Sequence, residues 1–299
     1  MKRFDLRRLW RIVVLGPLAL SVAFVLGGCP QTPPVKPTEI LPRETLAANY
    51  NARAEAIQKL WSKCHIEIRI PTFESGQPTA DARVTGSKSY ALDGNFIFRK
   101  PHDLYLEGRT LLPPTPVFGL FSNSEKYWLW VKPDVSTEWS GSYGGPGASK
   151  FFMRPDRLLE ALAVFPLPTD VAAGFRRDDS RDVFFLLCPG GTPAPGRPGG
   201  SCLAEEIYLN RGTHLPEEVR LYNAAGDPVI VSTLGDYTEV DGQQVPRHIV
   251  ARFIEPSSRR AESTVTLELS NLSLTKEVKD AAFQYRAADV DRRVDLDAK

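Results

Sequence analysis

The sequence predicts an α+β fold: a large curved antiparallel sheet, an incomplete β-barrel of about 11–12 strands, closed by helices. Three observations predict it. One helical stripe opens the globular part, a long series of strand-like segments joined by short polar turns follows, and several of those segments are apolar on both faces. The composition is globular, with 299 residues of which 42% are apolar and 24% charged. Lys plus Arg number 37 against 36 Asp plus Glu, so no overall charge points to nucleic acid.

The first 28 residues stand apart from that fold. Lys2, Arg3, Arg7, Arg8 and Arg11 precede an apolar run over 12–26, the arrangement of a secretory signal. The run is shorter than the ~20 residues that a spanning helix needs. It ends in Leu26-Gly27-Gly28-Cys29, which resembles the lipobox of bacterial lipoproteins. The resemblance implies cleavage before Cys29 and acylation of that cysteine, hence a lipid anchor in the cell envelope with the protein facing the periplasm. Pro30, where Asp would imply retention in the inner membrane, implies the outer membrane. Residues 29–42 form a tether: five prolines within 30–42 favour extended polyproline II and hold the domain off the bilayer. A single domain is expected over 43–290, followed by a polar tail over 291–299. Without residues 1–28 the net charge is −3, which argues against a polyanion-binding surface.

The domain opens with a helix over 42–63, where Leu46, Tyr50, Ala54 (or Arg53), Ile57, Trp61 and Cys64 recur at steps of three and four. Pro42 suits its first turn, and Glu44 favours its positive end. Residues 65–70 then alternate, Ile66, Ile68 and Ile70 against His65, Glu67 and Arg69. Further strands are predicted over 82–90, 95–99, 103–109, 116–121, 126–132, 136–140, 182–188, 203–209, 217–223, 228–238, 246–254 and 263–272. Turn chemistry at Asp93-Gly94, Ser122-Asn123-Ser124, Ala225-Gly226-Asp227 and Asp241-Gly242 separates many of them. Connections this short make neighbours antiparallel. A second helix fits 155–165, with Leu158, Leu159, Leu162 and Phe165 on one face.

Cys188 and Cys202 flank residues 189–201, which hold four Pro and five Gly. Two strand ends joined by such a loop suit a disulfide, worth about 3 kcal/mol in the chain-entropy model. Cys64 remains as a small buried apolar residue.

The strands that fail to alternate carry the functional argument. Residues 117–121, 127–131 and 183–187 are apolar on both faces, so both sides of the sheet need cover there. A curved sheet with an apolar hollow, open to an apolar ligand, provides it; a filled barrel or sandwich core does so equally. The hollow reading assigns Phe96, Phe98, Leu104, Leu106, Phe118, Leu120, Trp128 and Trp130 to the lining. A one-residue error in parity would reverse the set on any strand.

Several stretches resemble the LolA/LolB-like superfamily of periplasmic lipoprotein carriers and receptors. LAANYNARAEAIQKLWSKCHIEIRI is similar to its first helix running into strand one, and GNFIFRKPHDLYLEGRT, VFGLFSNSEKYWLWVKP and STEWSG to its central meander. TVTLELSNLSLTKEVKDAAFQY is similar to its last strand and closing Phe segment. The resemblance implies an incomplete barrel closed by helices, with an apolar cavity for acyl chains of lipoproteins or lipids. It also implies a periplasmic carrier protein as partner. It places Leu111 and Leu112 in a loop that meets membrane or partner; read from the residues alone, they equally end a strand and tuck into the core.

No reaction is legible. A GxSxG elbow, a phosphate loop and a dinucleotide fingerprint are missing from the sequence, so no catalytic residue and no cofactor is expected. There is no CxxC, and His65, His102, His214 and His248 are dispersed, so no metal is expected. The acid–base cluster Arg176, Arg177, Asp178, Asp179 and Arg181 reads as a solvated turn. Trp128, Trp130 and Trp139 read as packing within the sheet, a sugar-stacking platform being the other option. The expected function is an outer-membrane-anchored lipoprotein that binds acyl chains and aids their delivery to the membrane. The alternative is a non-catalytic envelope-assembly lipoprotein that uses the same fold as a protein-docking module.

Overall fold

A computed structural model describes residues 39–73, 84–132, 136–145, 154–168, 173–178, 180–188, 202–254 and 262–298. The targeting segment, Cys29 and most of the tether lie outside the described residues. Helix α1 (Arg43–Ala56) carries Glu44 in its first turn and Arg53 in its last, each suited to the macrodipole at its end. Its stripe of Leu46, Tyr50 and Ala54 is buried as expected. The helix stops earlier than its periodicity predicts because a competing period takes over. Leu60, Ser62, Cys64, Ile66 and Ile68, every second residue, are all buried, so the chain from Lys59 onward is strand β1 (Lys59–Phe73). Trp61, expected on the helical stripe, instead points away from that buried row.

Thirteen further strands follow among the described residues. The first meander continues through β2 (Val84–Arg99), β3 (Asp103–Arg109), β4 (Pro116–Ser122), β5 (Lys126–Val131) and β6 (Thr137–Ser142). The second comprises β7 (Gly174–Arg177), β8 (Arg181–Cys188), β9 (Cys202–Asn210), β10 (Pro216–Tyr222), β11 (Pro228–Val240), β12 (Gln243–Ile254) and β13 (Glu262–Ser273). Strand β14 (Arg292–Asp295) lies within the segment expected as a polar tail. All 14 belong to one sheet, in the order β14-β6-β5-β4-β3-β2-β1-β13-β12-β11-β10-β9-β8-β7. Every neighbouring pair is antiparallel except β14 with β6. The two meanders meet where β1 pairs with β13, and the sheet is left open at β14 and β7.

One geometric fact shows that this sheet is strongly curved. Laid flat, β4 and β9 would lie eight strand positions, about 38 Å, apart. Helix α2 (Pro155–Glu160), only about 9 Å long, packs on β4 while its Arg157 and Glu160 act electrostatically on Glu205 of β9. The topology also explains why α2 sits there. The chain must pass from β6, near one edge, to β7 at the other, and it carries α2 and the buried residues Leu162, Ala163, Val164 and Leu167 along the inner face. The second helix is shorter than predicted, since residues 161–163 form a turn.

The expected turn at Asp93-Gly94 is absent; both residues lie inside β2, opposite His65 and Cys64 of β1. The glycine serves a close approach instead. A Cβ on Gly94 would lie 1.8 Å from the Glu107 carbonyl oxygen of β3. Gly94→Ala should therefore force β2 and β3 apart and cost about 1–3 kcal/mol in urea unfolding, as overpacking does. A stability equal to the parent's would show that the strands are not this close.

Candidate functional site

The inner face is built by cross-strand rows. Leu60, Phe98 and Leu104 face one another across β1, β2 and β3, and Ser62, Phe96, Leu106, Leu120 and Leu129 continue the next row to β5. Phe96, Phe98, Leu104, Leu106, Phe118 and Leu120 thus lie together on this face, all buried. Ser62, which would be unsatisfied here, donates its hydroxyl to the Phe96 carbonyl at 3.0 Å. A bulge pairs Arg109 with Pro116 and Gly108 with Phe118, so Val117 is the extra residue, and it is buried together with Phe118.

Trp128 and Trp130, assigned to the same lining, project from the opposite face. The β4–β5 register pairs Leu120 with Leu129, which turns Leu129 inward and both tryptophans outward. There they meet the C-terminal segment rather than a hollow. The Trp128 ring stacks on Tyr285 at 4.7 Å with 10° between planes, and Phe121 and Trp130 pack with Ala288. The Tyr285 hydroxyl donates to the Glu138 carboxylate, and the Asp297 carboxylate accepts from the Ser142 amide and hydroxyl at 2.7 Å each. Residues 280–297 are therefore a strap over the outer face of β4–β6.

The hollow behind the inner face is occupied by helices. Leu46, Tyr50 and Ala54 of α1 and residues 158–167 fill its depth, leaving a void of about 10 Å³ beside Phe96, Phe98, Leu162 and Ile249. A slot of about 70 Å³ remains among Ile68, Ile70, Tyr90, Leu92, Val117, Phe118, Leu129, Val131, Ser263 and Val265. That is below the ~300 Å³ of an ordinary ligand pocket. Polar latches hold the filling in place. Arg53, itself buried, donates to the Ala163 carbonyl at 2.5 Å, Lys100 donates to the Ala54 carbonyl, and the Leu167 amide donates to Asn51 at 2.8 Å. Desolvation beside Arg53 pushes Lys100 down to about 8.

The slot lies toward the end of the sheet that bears residues 110–115. Thr110 pins this loop, donating to the Pro113 carbonyl at 2.6 Å and accepting from the Thr115 amide at 3.1 Å. Leu111 and Leu112 are not tucked away; they are 59% and 92% exposed. Val117, which lines the slot, comes two residues after the loop.

Elsewhere the predicted features fall as follows. Cys188 faces Cys202 across β8 and β9, and the loop between them lies outside the described residues. Cys64 is buried on the inner side, where desolvation pushes its thiol up to about 12. The arginine-rich cluster is an ion-pair lattice over β7–β10 rather than a solvated turn. Arg176 pairs with buried Glu206 at 2.6 Å, Arg181 with Glu218 at 3.1 Å, and Arg181 and Arg220 flank the Tyr208 ring. Among the described residues no group of three His, Cys, Asp or Glu side chains is arranged to hold a metal ion, and no helix is long and apolar enough to cross a membrane.

Sequence reasoning missed Glu205. It lies on β9 and faces the filling on the inner side with Ile207 and Leu209. Desolvation, with the Glu160 carboxylate of α2 nearby and Arg157 partly offsetting it, pushes Glu205 up to about 8. Glu160 is also raised, chiefly by desolvation.

No family model matches the chain, and no curated protein matches it in sequence. Among solved structures it is similar to a LolA superfamily protein from Nitrosomonas europaea, at 13% identity and TM-score 0.46, covering 80% of this chain and 97% of that one. It is similar to a DUF1329 family protein from Desulfovibrio piger at 15% identity and TM-score 0.47, with 81% and 95% covered. It is also similar to an outer membrane lipoprotein-sorting protein domain from Vibrio parahaemolyticus at 13% identity and TM-score 0.46, with 80% and 94% covered.

The carboxyl pair generates a pH prediction. A raised carboxyl binds its proton more tightly in the folded state, so its stabilising effect is complete at acid pH. It is lost as pH rises from about 4.5 towards 8. Unfolding free energy should fall over that window by about 1–3 kcal/mol, the shift being discounted for partial exposure. Glu205→Gln should flatten the profile. A profile that Glu205→Gln leaves unchanged would remove Glu205 from the account.

Proposed function

We propose that this chain is a periplasm-facing envelope lipoprotein, anchored in the outer membrane through acylated Cys29. It takes an acyl chain of a lipoprotein or lipid between its curved sheet and the helical filling, and aids delivery of that chain to the membrane. A periplasmic carrier protein fits as the donor. The observation that carries the proposal is the apolar slot on the inner face, placed at the same end as the exposed Leu111 and Leu112. Exposed leucines at a loop tip are stabilised by meeting lipid or an apolar cargo.

The slot at rest admits only the end of a chain, so uptake requires α2 and residues 161–167 to move off Phe96, Phe98, Leu104 and Leu106. Affinity then comes from desolvating the chain, at ~25 cal/mol per Å² of apolar surface. No covalent step is involved. Two anchoring features complete the proposal: acyl groups on Cys29, and a disulfide between Cys188 and Cys202, which the cross-strand register favours.

The alternative, a protein-docking module for envelope assembly, draws on one observation, the tight filling of the inner depth around the 10 Å³ void. Titration with a fluorescent fatty-acyl probe separates the two. Acyl binding predicts saturable uptake that Val131→Trp, which crowds the slot rim, weakens about tenfold, or ~1.4 kcal/mol. The absence of saturable uptake by the folded parent would leave the docking reading. Intact mass before and after reduction reads the acyl groups and the disulfide in the same sample.

A further inference from the structure

On the outer face of the sheet lies a second and larger recess, about 630 Å³, between the first meander and the C-terminal strap. Tyr105, Phe121 and Trp130 form its aromatic floor; Tyr105 meets Phe121 edge-on at 5.0 Å, and Phe121 stacks with Trp130 at 6.4 Å. Arg109, Lys132 and Arg286 line it, with Glu107 and Asp289. Arg109 and Glu107 neutralise each other at 2.6 Å. Lys132 lies over the Trp130 ring at 5.6 Å, and among the described residues neither it nor Arg286 has a carboxylate within ion-pair distance. Asp289 is the single acid set against these two cations.

The position of the cations relative to the loop gives the recess its meaning. Arg109 immediately precedes residues 110–115, and the Lys132 amide donates to the Val117 carbonyl at 2.9 Å, just beyond the loop's other end. Lys132, which has no carboxylate partner among the described residues, therefore stands with the Glu107-paired Arg109 at the root of the loop that carries exposed Leu111 and Leu112. An apolar tip with an uncompensated cation at its root is complementary to the depth order of an anionic bilayer, hydrocarbon and then phosphate.

We infer that this recess receives the phosphate-bearing headgroup of an anionic phospholipid when the Leu111–Leu112 tip enters a membrane. The lipid phosphate sits between Lys132 and Arg286, and the half-buried Tyr105 meets the glycerol. The site is on the opposite face of the sheet from the acyl slot, and it stands whether or not a chain enters that slot.

Flotation of the chain from residue 29 onward carrying Cys29→Ala, so that neither the basic segment over 1–28 nor an acyl anchor contributes, tests this on vesicles of phosphatidylcholine alone and of phosphatidylcholine with phosphatidylglycerol. The expected result is tighter binding to the anionic vesicles, with the gain suppressed by salt. Lys132→Glu/Arg286→Glu should lose that gain, about tenfold or more, since each basic residue near such a surface contributes about fivefold. Its binding to neutral vesicles and its uptake of the fatty-acyl probe should match the parent's. Lys132→Gln/Arg286→Gln, which removes charge without reversing it, should fall between the two. Equal binding of the parent to both vesicle types would overturn the inference, as would a gain that the Glu variant retains. Loss of the gain on adding inorganic phosphate, where sulfate at equal ionic strength has no effect, would reassign the recess to a free phosphate ion.

Discussion

A strand pair that is apolar on both faces must be covered twice, and the rest of this structure follows from that constraint. Burying one face of β4 and β5 leaves Phe121, Trp128 and Trp130 on the other, and apolar area of that size is not left in water. The inner cover is supplied by α1 and by the crossing from β6 to β7. The outer cover is the strap, whose Tyr285 lies flat on Trp128. The strap also supplies β14, which pairs in parallel with β6 and so protects that edge of the sheet. One requirement thus accounts for the helical filling, the C-terminal path and the capped edge.

The same constraint shapes the candidate site. Since the inner cover is a chain crossing and not a further sheet, it consists of short pieces: a six-residue helix, a turn, and an extended stretch to Leu167. They are held by burial and by two identifiable polar latches, from Arg53 to the Ala163 carbonyl and from the Leu167 amide to Asn51. Elements with few backbone hydrogen bonds of their own open at lower free energy than the sheet they cover. Glu205 and Glu160 add a carboxyl pair on the inner side, where a second ionisation is unfavourable. The inner face is therefore apolar and shielded by short elements with few backbone hydrogen bonds of their own.

Much of this was legible in the residues. The stripe of Leu46, Tyr50 and Ala54 marked α1, alternation over 65–70 marked β1, and strand signals bounded by turns marked β3 and most strands of the second meander. Apolar residues on both sides of 117–121 and 127–131 signalled correctly that two covers are needed. What covers them was not legible. The strap has no periodicity, and its grip depends on single long-range contacts such as Tyr285 with Trp128 and Asp297 with Ser142. Parity failed at Trp128 and Trp130 because the register across β4 and β5 is set by the connection through Asn123, whose amide donates to the Lys126 carbonyl at 3.0 Å. A connection one residue different would have turned them inward. Asp93-Gly94 carried turn chemistry, yet the glycine answers to the close passage of β3. Strands β7 and β14 are four residues each and polar, so no pattern announced them.

In the proposed function, cargo reaches the inner face by displacing the crossing segment while the sheet and its outer strap stay in place. Amide hydrogen exchange with and without a saturating fatty-acyl ligand tests this most directly. Altered protection is expected in α2, residues 161–167 and the facing turns of α1 alone, with β4, β5 and the strap unchanged. Saturable binding with the crossing segment unaltered, or with protection changes centred on the strap, would contradict it.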